Sequence, residues 1–122
     1  MIAFTKNKLL LLHKMALQTP GGDFSIKDNV CIDSMLDEAF NTDKYLTKEE
    51  KAAYLGFSII TKQPFALENT GAGIYIMLSF LEVNGVKMNP ETEEVVEIGR
   101  GIADGRIDYE GVLNWIQEKE FR

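Results

Sequence analysis

Two apolar runs with helical spacing, residues 52–60 and 74–83, constrain the fold of this chain more than any other feature. Each run is apolar nearly all round, and a helix of that kind is normally buried in the centre of a domain. Sustained alternation of apolar and polar residues, which marks strands, is found nowhere in the sequence. We therefore predict an all-α fold in which these two helices face each other as a buried pair.

Weaker amphipathic patterns complete a compact bundle of about six helices. The first helix is expected over about residues 6–18 and should end at residues 19–22 (Thr-Pro-Gly-Gly), because proline disfavours helical geometry in the residue before it. The second presents one apolar face over residues 32–40 and ends in the polar stretch 41–43.

Capping signals place the remaining helices. Thr47 and Glu50 have the spacing of a capping box, in which each residue bonds the other's backbone N–H. The third helix should therefore start near residue 48, and the fourth should cover about residues 71–84. The fifth should start at Asn89-Pro90 and stop at Gly105. Asp108 should cap the sixth helix.

Composition narrows the function classes. The 122 residues, 45% of them apolar, suffice for a single domain over residues 1–122. A formal net charge of −6 disfavours nucleic acid and anionic membranes as partners. Cys31 is the only cysteine, so no internal disulfide can form, and the short apolar run near the N-terminus is no signal peptide. We expect a cytoplasmic protein without a membrane or nucleic-acid role.

The loop between the two central helices, residues 63–71, reads Gln-Pro-Phe-Ala-Leu-Glu-Asn-Thr-Gly. It resembles the signature of the Fic/Doc family, which runs His, any residue, Phe, any residue, an acid, a small residue, Asn, Gly or Lys, and Arg. This chain keeps Phe65 and Asn69 and has the Pro64 often seen there. In the same register Gln63 stands for the catalytic His, Leu67 for the metal-binding acid, Glu68 for the small residue, and Thr70 and Gly71 for the phosphate-binding Lys and Arg.

The flanking sequence is similar to the death-on-curing (Doc) branch along most of the chain. The similar stretches are residues 8–13 with the glycines at 21–22, residues 32–40, residues 80–85, and residues 98–105 with 107–109. The resemblance implies an all-helical toxin-family fold of prophage type. Doc-like proteins transfer phosphate to elongation factor Tu and are neutralised by an antitoxin whose C-terminal segment folds on them. In Fic proteins a flap before the second helix docks target segments, and the role of residues 19–30 here stays open.

The substituted positions lack the chemistry of phosphoryl transfer. Gln63 has no useful basicity, so it is either a polar turn residue or a group that orients phosphate or water. Leu67 offers magnesium no oxygen, and Glu68 either serves as a shifted acid after a one-residue slip or lies at the helix start. Gly71 supplies only backbone where the family has a guanidinium. Phe65 is expected to anchor the loop.

The start of the fourth helix also has the features of a nucleotide or anion site. Asn69, Thr70 and Gly71 would offer backbone N–H donors there, and Lys62 the positive charge. The plainer reading makes Asn69 or Thr70 an N-cap and Lys62 a solvated residue at a helix end. We expect no metal cluster, and we read the unique His13 as structural or exposed and without a partner.

Three functions follow as hypotheses. The first is a Doc-like pseudoenzyme that binds a protein, either an antitoxin or a translation-factor-like target, through an apolar groove beside the loop. The alternative is a divergent phosphoryl- or nucleotidyl-transferase that uses Mg²⁺ with ATP or another nucleotide to modify a protein hydroxyl. The third is a structural or regulatory helical protein of a mobile element.

Overall fold

A computed structural model describes residues 1–17 and 21–121 and contains six α-helices. They are α1 Lys6–Ala16, α2 Asn29–Phe40, α3 Lys48–Lys62, α4 Asn69–Val83, α5 Thr92–Ala103 and α6 Tyr109–Lys119. Within the described residues, β pairing is limited to two isolated bridges, Ile26 with Phe65 and Met88 with Glu120. The prediction of an all-α bundle is confirmed.

Helices α3 and α4 form the buried pair at the centre of the bundle, as predicted. They cross closely at two glycines, where a Cβ atom on Gly73 would lie 2.6 Å from Cγ1 of Ile60 and 3.0 Å from the carbonyl oxygen of Gly56. Side chains of both helices, including Leu55 and Met77, are fully buried in one hydrophobic core. The small residues therefore let the two backbones approach, and the other four helices pack around them.

Two of the predicted caps are confirmed. The Thr47 hydroxyl accepts the N–H of Glu50 at 3.0 Å, and the Glu50 carboxylate accepts the N–H of Thr47 at 3.0 Å. At the start of α6 the Asp108 carboxylate accepts the N–H of Gly111 at 2.9 Å. Local sequence signals thus determine where α3 and α6 begin.

The predicted start of α5 at Asn89-Pro90 is wrong. The helix begins at Thr92, and Glu91 is its N-cap. The N–H of Asn89 instead donates to the carbonyl of Lys119 at 3.2 Å, as part of the bridge between residues 87–89 and 119–121. Pairing with a distant segment therefore outweighs the local capping signal at the start of α5. The predicted stop of this helix agrees with the structure, because Gly105 follows its end with a φ of +84°.

The first helix is observed as far as Ala16, and its predicted end at residues 18–20 lies outside the described residues. The second helix begins at Asn29, where the Asp28 carboxylate accepts the N–H of Cys31 at 3.0 Å. Among the described residues, every helix is too short or too polar to cross a bilayer.

Candidate functional site

The loop that connects α3 to α4 is bracketed by two residues in the left-handed conformation. Gln63 has a φ of +53° and Glu68 a φ of +56°, and neither is glycine. This conformation costs an ordinary residue roughly 1–2 kcal/mol, so the rest of the loop must hold both residues in place. The Gln63 side chain is exposed, and its N–H ends α3 by donating to the carbonyl of Ile59 at 3.0 Å.

Asn69 fixes the loop from the first turn of α4. Its Oδ1 accepts the N–H of Phe65 at 2.9 Å, and its Nδ2 donates to the carbonyl of the same residue at 3.2 Å. The Phe65 side chain between these bonds is fully buried. The predicted helix start near Gly71 with Asn69 or Thr70 as N-cap is wrong, because Asn69 already lies inside α4 and Glu68 is the N-cap, with no capping bond from its side chain.

The segment before α2 pairs with the same loop. The N–H groups of Lys27 and Asp28 donate to the carbonyl of Pro64 at 2.8 and 3.0 Å, and the N–H of Ala66 donates to the carbonyl of Ser25 at 3.0 Å. A short antiparallel pairing therefore covers one side of the loop. Residues 18–20, which precede this segment, are outside the described part of the chain.

His13 lies between this segment and the loop, contrary to the expectation that it has no partner. The ring is fully buried and stacks on Phe65, with centroids 4.0 Å apart and planes inclined by 9°. Nε2 is 2.8 Å from the carbonyl oxygen of Leu67, and Nδ1 is 3.3 Å from that of Phe24. Sequence reasoning missed this contact because the two bonded residues are 54 positions apart.

A surface groove runs between α4 and α5 beside the loop, and we call it the α4–α5 groove. Its part nearest the loop has a volume of about 680 Å³ and is mostly apolar. The residues that line this part are Met15, Ala16, Glu68, Thr70, Gly71, Ile74, Tyr75, Leu78, Val95, Val96, Gly99 and Arg100. Leu78 also lines a neighbouring depression of about 660 Å³, whose other lining residues include Glu82 and Phe121 and lie outside α5.

The groove and the neighbouring depression both present apolar side chains to solvent. In the groove Met15 is 58% exposed and Val96 46%, and in the depression Phe121 is 66% exposed. Exposed patches of apolar surface commonly mark interaction sites. Gly71 is an exposed part of the lining, and a Cβ atom there would meet nothing within 4 Å.

The structure separates the residues that the sequence grouped as an anion site. Thr70 and Gly71 line the groove with Glu68, whereas the Asn69 side chain is engaged with Phe65. Gln63 and Lys62 are exposed outside the lining of the groove. Lys62 instead lies near α2: burial raises the pKa of the Cys31 thiol, and the Lys62 charge opposes that rise.

The positive charge in the groove comes from Arg100, which the sequence did not single out. Its side chain is 71% exposed, and its guanidinium is 3.5 Å from the Glu97 carboxylate. Helical spacing of Val96, Gly99 and Arg100 on α5 is the only signal that could have grouped it with the groove. Within the described residues, no group of three or more His, Cys, Asp or Glu side chains is arranged to hold a metal ion.

Comparison with models of known protein families and with curated proteins finds no match to this chain.

Proposed function

We propose that this chain is a Fic/Doc-like domain, nearest the death-on-curing branch, that has lost transfer chemistry and acts in the cytoplasm by binding a protein in the α4–α5 groove. The observation that carries the proposal is the groove itself, an exposed and mostly apolar channel that begins at the loop and lies between α4 and α5.

Three residues of the loop support the proposal that this chain does not carry out the Fic/Doc reaction. An amide at Gln63 cannot accept a proton from a target hydroxyl near neutral pH. Leu67 contributes its carbonyl oxygen to His13 rather than a carboxylate to a metal. Phosphoryl transfer depends on positioning and on neutralising charge, and Gly71 provides neither a guanidinium nor an ammonium group.

The shape of the groove favours an amphipathic helix as its occupant. Glu68, the N-cap of α4, lines the groove, and Glu82 in the last turn of α4 lines the neighbouring depression, so the two carboxylates are separated by about 21 Å of helix. A partner helix of similar length would place apolar residues every three to four positions against Tyr75, Leu78 and Val96. The two glutamates and the net charge of −6 favour Lys or Arg near the ends of that helix.

The resemblance to the Doc branch suggests the source of such a helix. Antitoxins of that branch fold a C-terminal segment onto their toxins, so we propose an antitoxin-like helical segment as the occupant. A translation-factor-like target is the other partner that the resemblance implies. Residues that bind a partner can persist after catalytic residues have changed, because function resides in particular surfaces.

Site-specific photo-crosslinking tests this proposal. A benzophenone side chain at Tyr75, inside the groove, should form an adduct with a protein partner in cells. The matched control is the same side chain at Ser34, which is exposed on α2 and outside the groove. Adding Gly71→Trp, which places a large side chain in the lining of the groove, should abolish the Tyr75 adduct by obstructing the partner. Equal adducts from both positions, or none from Tyr75, would contradict binding in the groove.

One observation favours the transferase as a second candidate. Arg100 lines the groove together with Thr70 and Gly71 at the first turn of α4, where backbone N–H groups point outward. In this candidate Glu68 replaces the missing acid and Arg100 the missing guanidinium. It requires binding of Mg-ATP that weakens in both Glu68→Ala and Arg100→Ala, and binding that is unaffected by these changes would exclude it.

A further inference from the structure

The buried ring of His13 makes directed contacts that simple core filling does not require. Stacking on Phe65 would be equally available to a phenyl ring of similar size. The two ring nitrogens instead face two backbone carbonyl oxygens, those of Leu67 and Phe24. Because a buried carbonyl needs a donor, this placement indicates a polar role for the imidazole.

The distances indicate which ring nitrogen donates to the loop. Both facing atoms are carbonyl oxygens, so each can bond only a ring nitrogen that carries a proton. The separation of 2.8 Å from Nε2 to the Leu67 carbonyl is that of a hydrogen bond, so we assign Nε2 as its donor. Nδ1 lies farther from its facing atom, at 3.3 Å from the Phe24 carbonyl oxygen. His13 therefore holds the loop firmly, and the segment before α2 is held mainly by the Pro64 carbonyl.

This hydrogen bond connects two elements that line the α4–α5 groove, the end of α1 and the turn before α4. Leu67 directly precedes Glu68, whose left-handed conformation begins α4 and which lines the groove. Met15, two positions after His13 on α1, lines the same end of the groove. The bond thus joins the last turns of α1 to the strained turn at Glu68.

We propose that His13 is a positioning residue: its Nε2–H holds the Leu67 carbonyl and thereby sets the shape of the groove where α1 meets the loop. Without this donor, the turn at Glu68 relaxes and the end of the groove near Met15 changes shape. This contact sets the geometry of the groove whichever partner occupies it.

Two variants separate the hydrogen bond from packing. His13→Phe keeps a stacking ring and removes the donor, whereas His13→Gln loses the ring but places an amide N–H where Nε2 lies. The readouts are amide hydrogen exchange at Ala66 and Lys27, whose N–H groups form the pairing around the loop, and the ε-methyl NMR signal of Met15. The methyl signals of the buried Met35 and Met77 report whether the core is intact.

In His13→Phe we expect protection of Ala66 and Lys27 to fall by about tenfold and the Met15 signal to move, with Met35 and Met77 unchanged. His13→Gln should restore most of the protection. Unchanged protection and an unmoved Met15 signal in a folded His13→Phe would overturn the proposal.

A measurement on the unmodified chain covers the case in which His13→Phe does not fold. His13 is the only histidine, so its two ring ¹⁵N signals are unambiguous. The proposal requires that Nε2 carries a proton. A ring protonated at Nδ1 alone would place no donor against Leu67 and would overturn it.

Discussion

Asn69 bonds both backbone groups of Phe65, accepting its N–H at 2.9 Å and donating to its carbonyl at 3.2 Å. In this structure both residues serve the shape of the loop. Under the proposed resemblance to the Fic/Doc signature they are two of the matching positions, and the positions that differ are those to which that family assigns proton transfer, metal binding and phosphate binding.

Replacing Asn69 should destabilise the protein. Asn69→Ala removes two hydrogen bonds worth about 0.5–1.5 kcal/mol each, so we expect a loss of about 1–3 kcal/mol in the free energy of unfolding. Asn69→Asp keeps the acceptor for the Phe65 N–H and should cost less than Ala. Urea denaturation measures both, and an Asn69→Ala variant as stable as the wild type would show that the loop is held by other contacts.

Two glycines of α4 should respond in opposite directions to alanine. Gly73→Ala forces a methyl group against Ile60 and the Gly56 backbone, which should cost about 1–3 kcal/mol. Gly71→Ala meets open space and should stabilise the helix by about 0.5–1 kcal/mol. Thermal unfolding of the two variants side by side tests the close approach of α3 and α4. Similar effects of the two changes would contradict it.

Glycine should be tolerated, and even favoured, at Gln63. The left-handed conformation costs an ordinary side chain roughly 1–2 kcal/mol, while glycine adds about 0.5–1 kcal/mol of chain entropy on folding. Gln63→Gly should therefore raise the free energy of unfolding by up to about 1 kcal/mol. Gln63→Ala is the matched control and should give no such gain. A clear loss in Gln63→Gly would indicate that the amide side chain makes a stabilising contact.

The tyrosine cluster between α3 and α6 should make stability fall at alkaline pH. The rings of Tyr45 and Tyr54 are stacked with their centroids 4.3 Å apart, and the centroid of the Tyr109 ring is 5.5 Å from that of Tyr45. Burial, followed by a hydrogen bond to Glu38, raises the pKa of Tyr54 above its ordinary value of 10, and burial raises the pKa of Tyr109 to about 12.

Folding raises these two pKa values, so the folded state favours the protonated phenols more than the unfolded state does. The resulting contribution to the free energy of unfolding is complete below pH 10 and is lost as the pH rises towards the pKa values of the folded state. In that pH range each phenol can lower the free energy of unfolding by up to about 1.4 kcal/mol per pH unit. Chemical denaturation at increasing pH should show this loss, with a shallower slope in Tyr54→Phe. An identical slope in the variant would place the effect elsewhere.

Local signals explain which parts of the fold could be predicted. The capping box of α3 and the two central apolar runs involve residues close in sequence, so spacing alone reveals them. The start of α5 could not be predicted, because pairing between residues 87–89 and 119–121 outweighs the Asn89-Pro90 signal. The contact of His13 with Leu67 and the position of Arg100 in the groove likewise depend on tertiary packing.

Titration with nucleotide is the most direct test of the claim that this loop has lost its chemistry. A ligand present at ten times its Kd stabilises the native state by about 1.4 kcal/mol, which raises the Tm by several degrees. We predict that about 5 mM ATP or GTP with Mg²⁺ leaves the Tm unchanged, which excludes a Kd of about 0.5 mM or tighter. A saturable, magnesium-dependent rise in Tm that is lost in Glu68→Ala would contradict the claim and would support a divergent transferase.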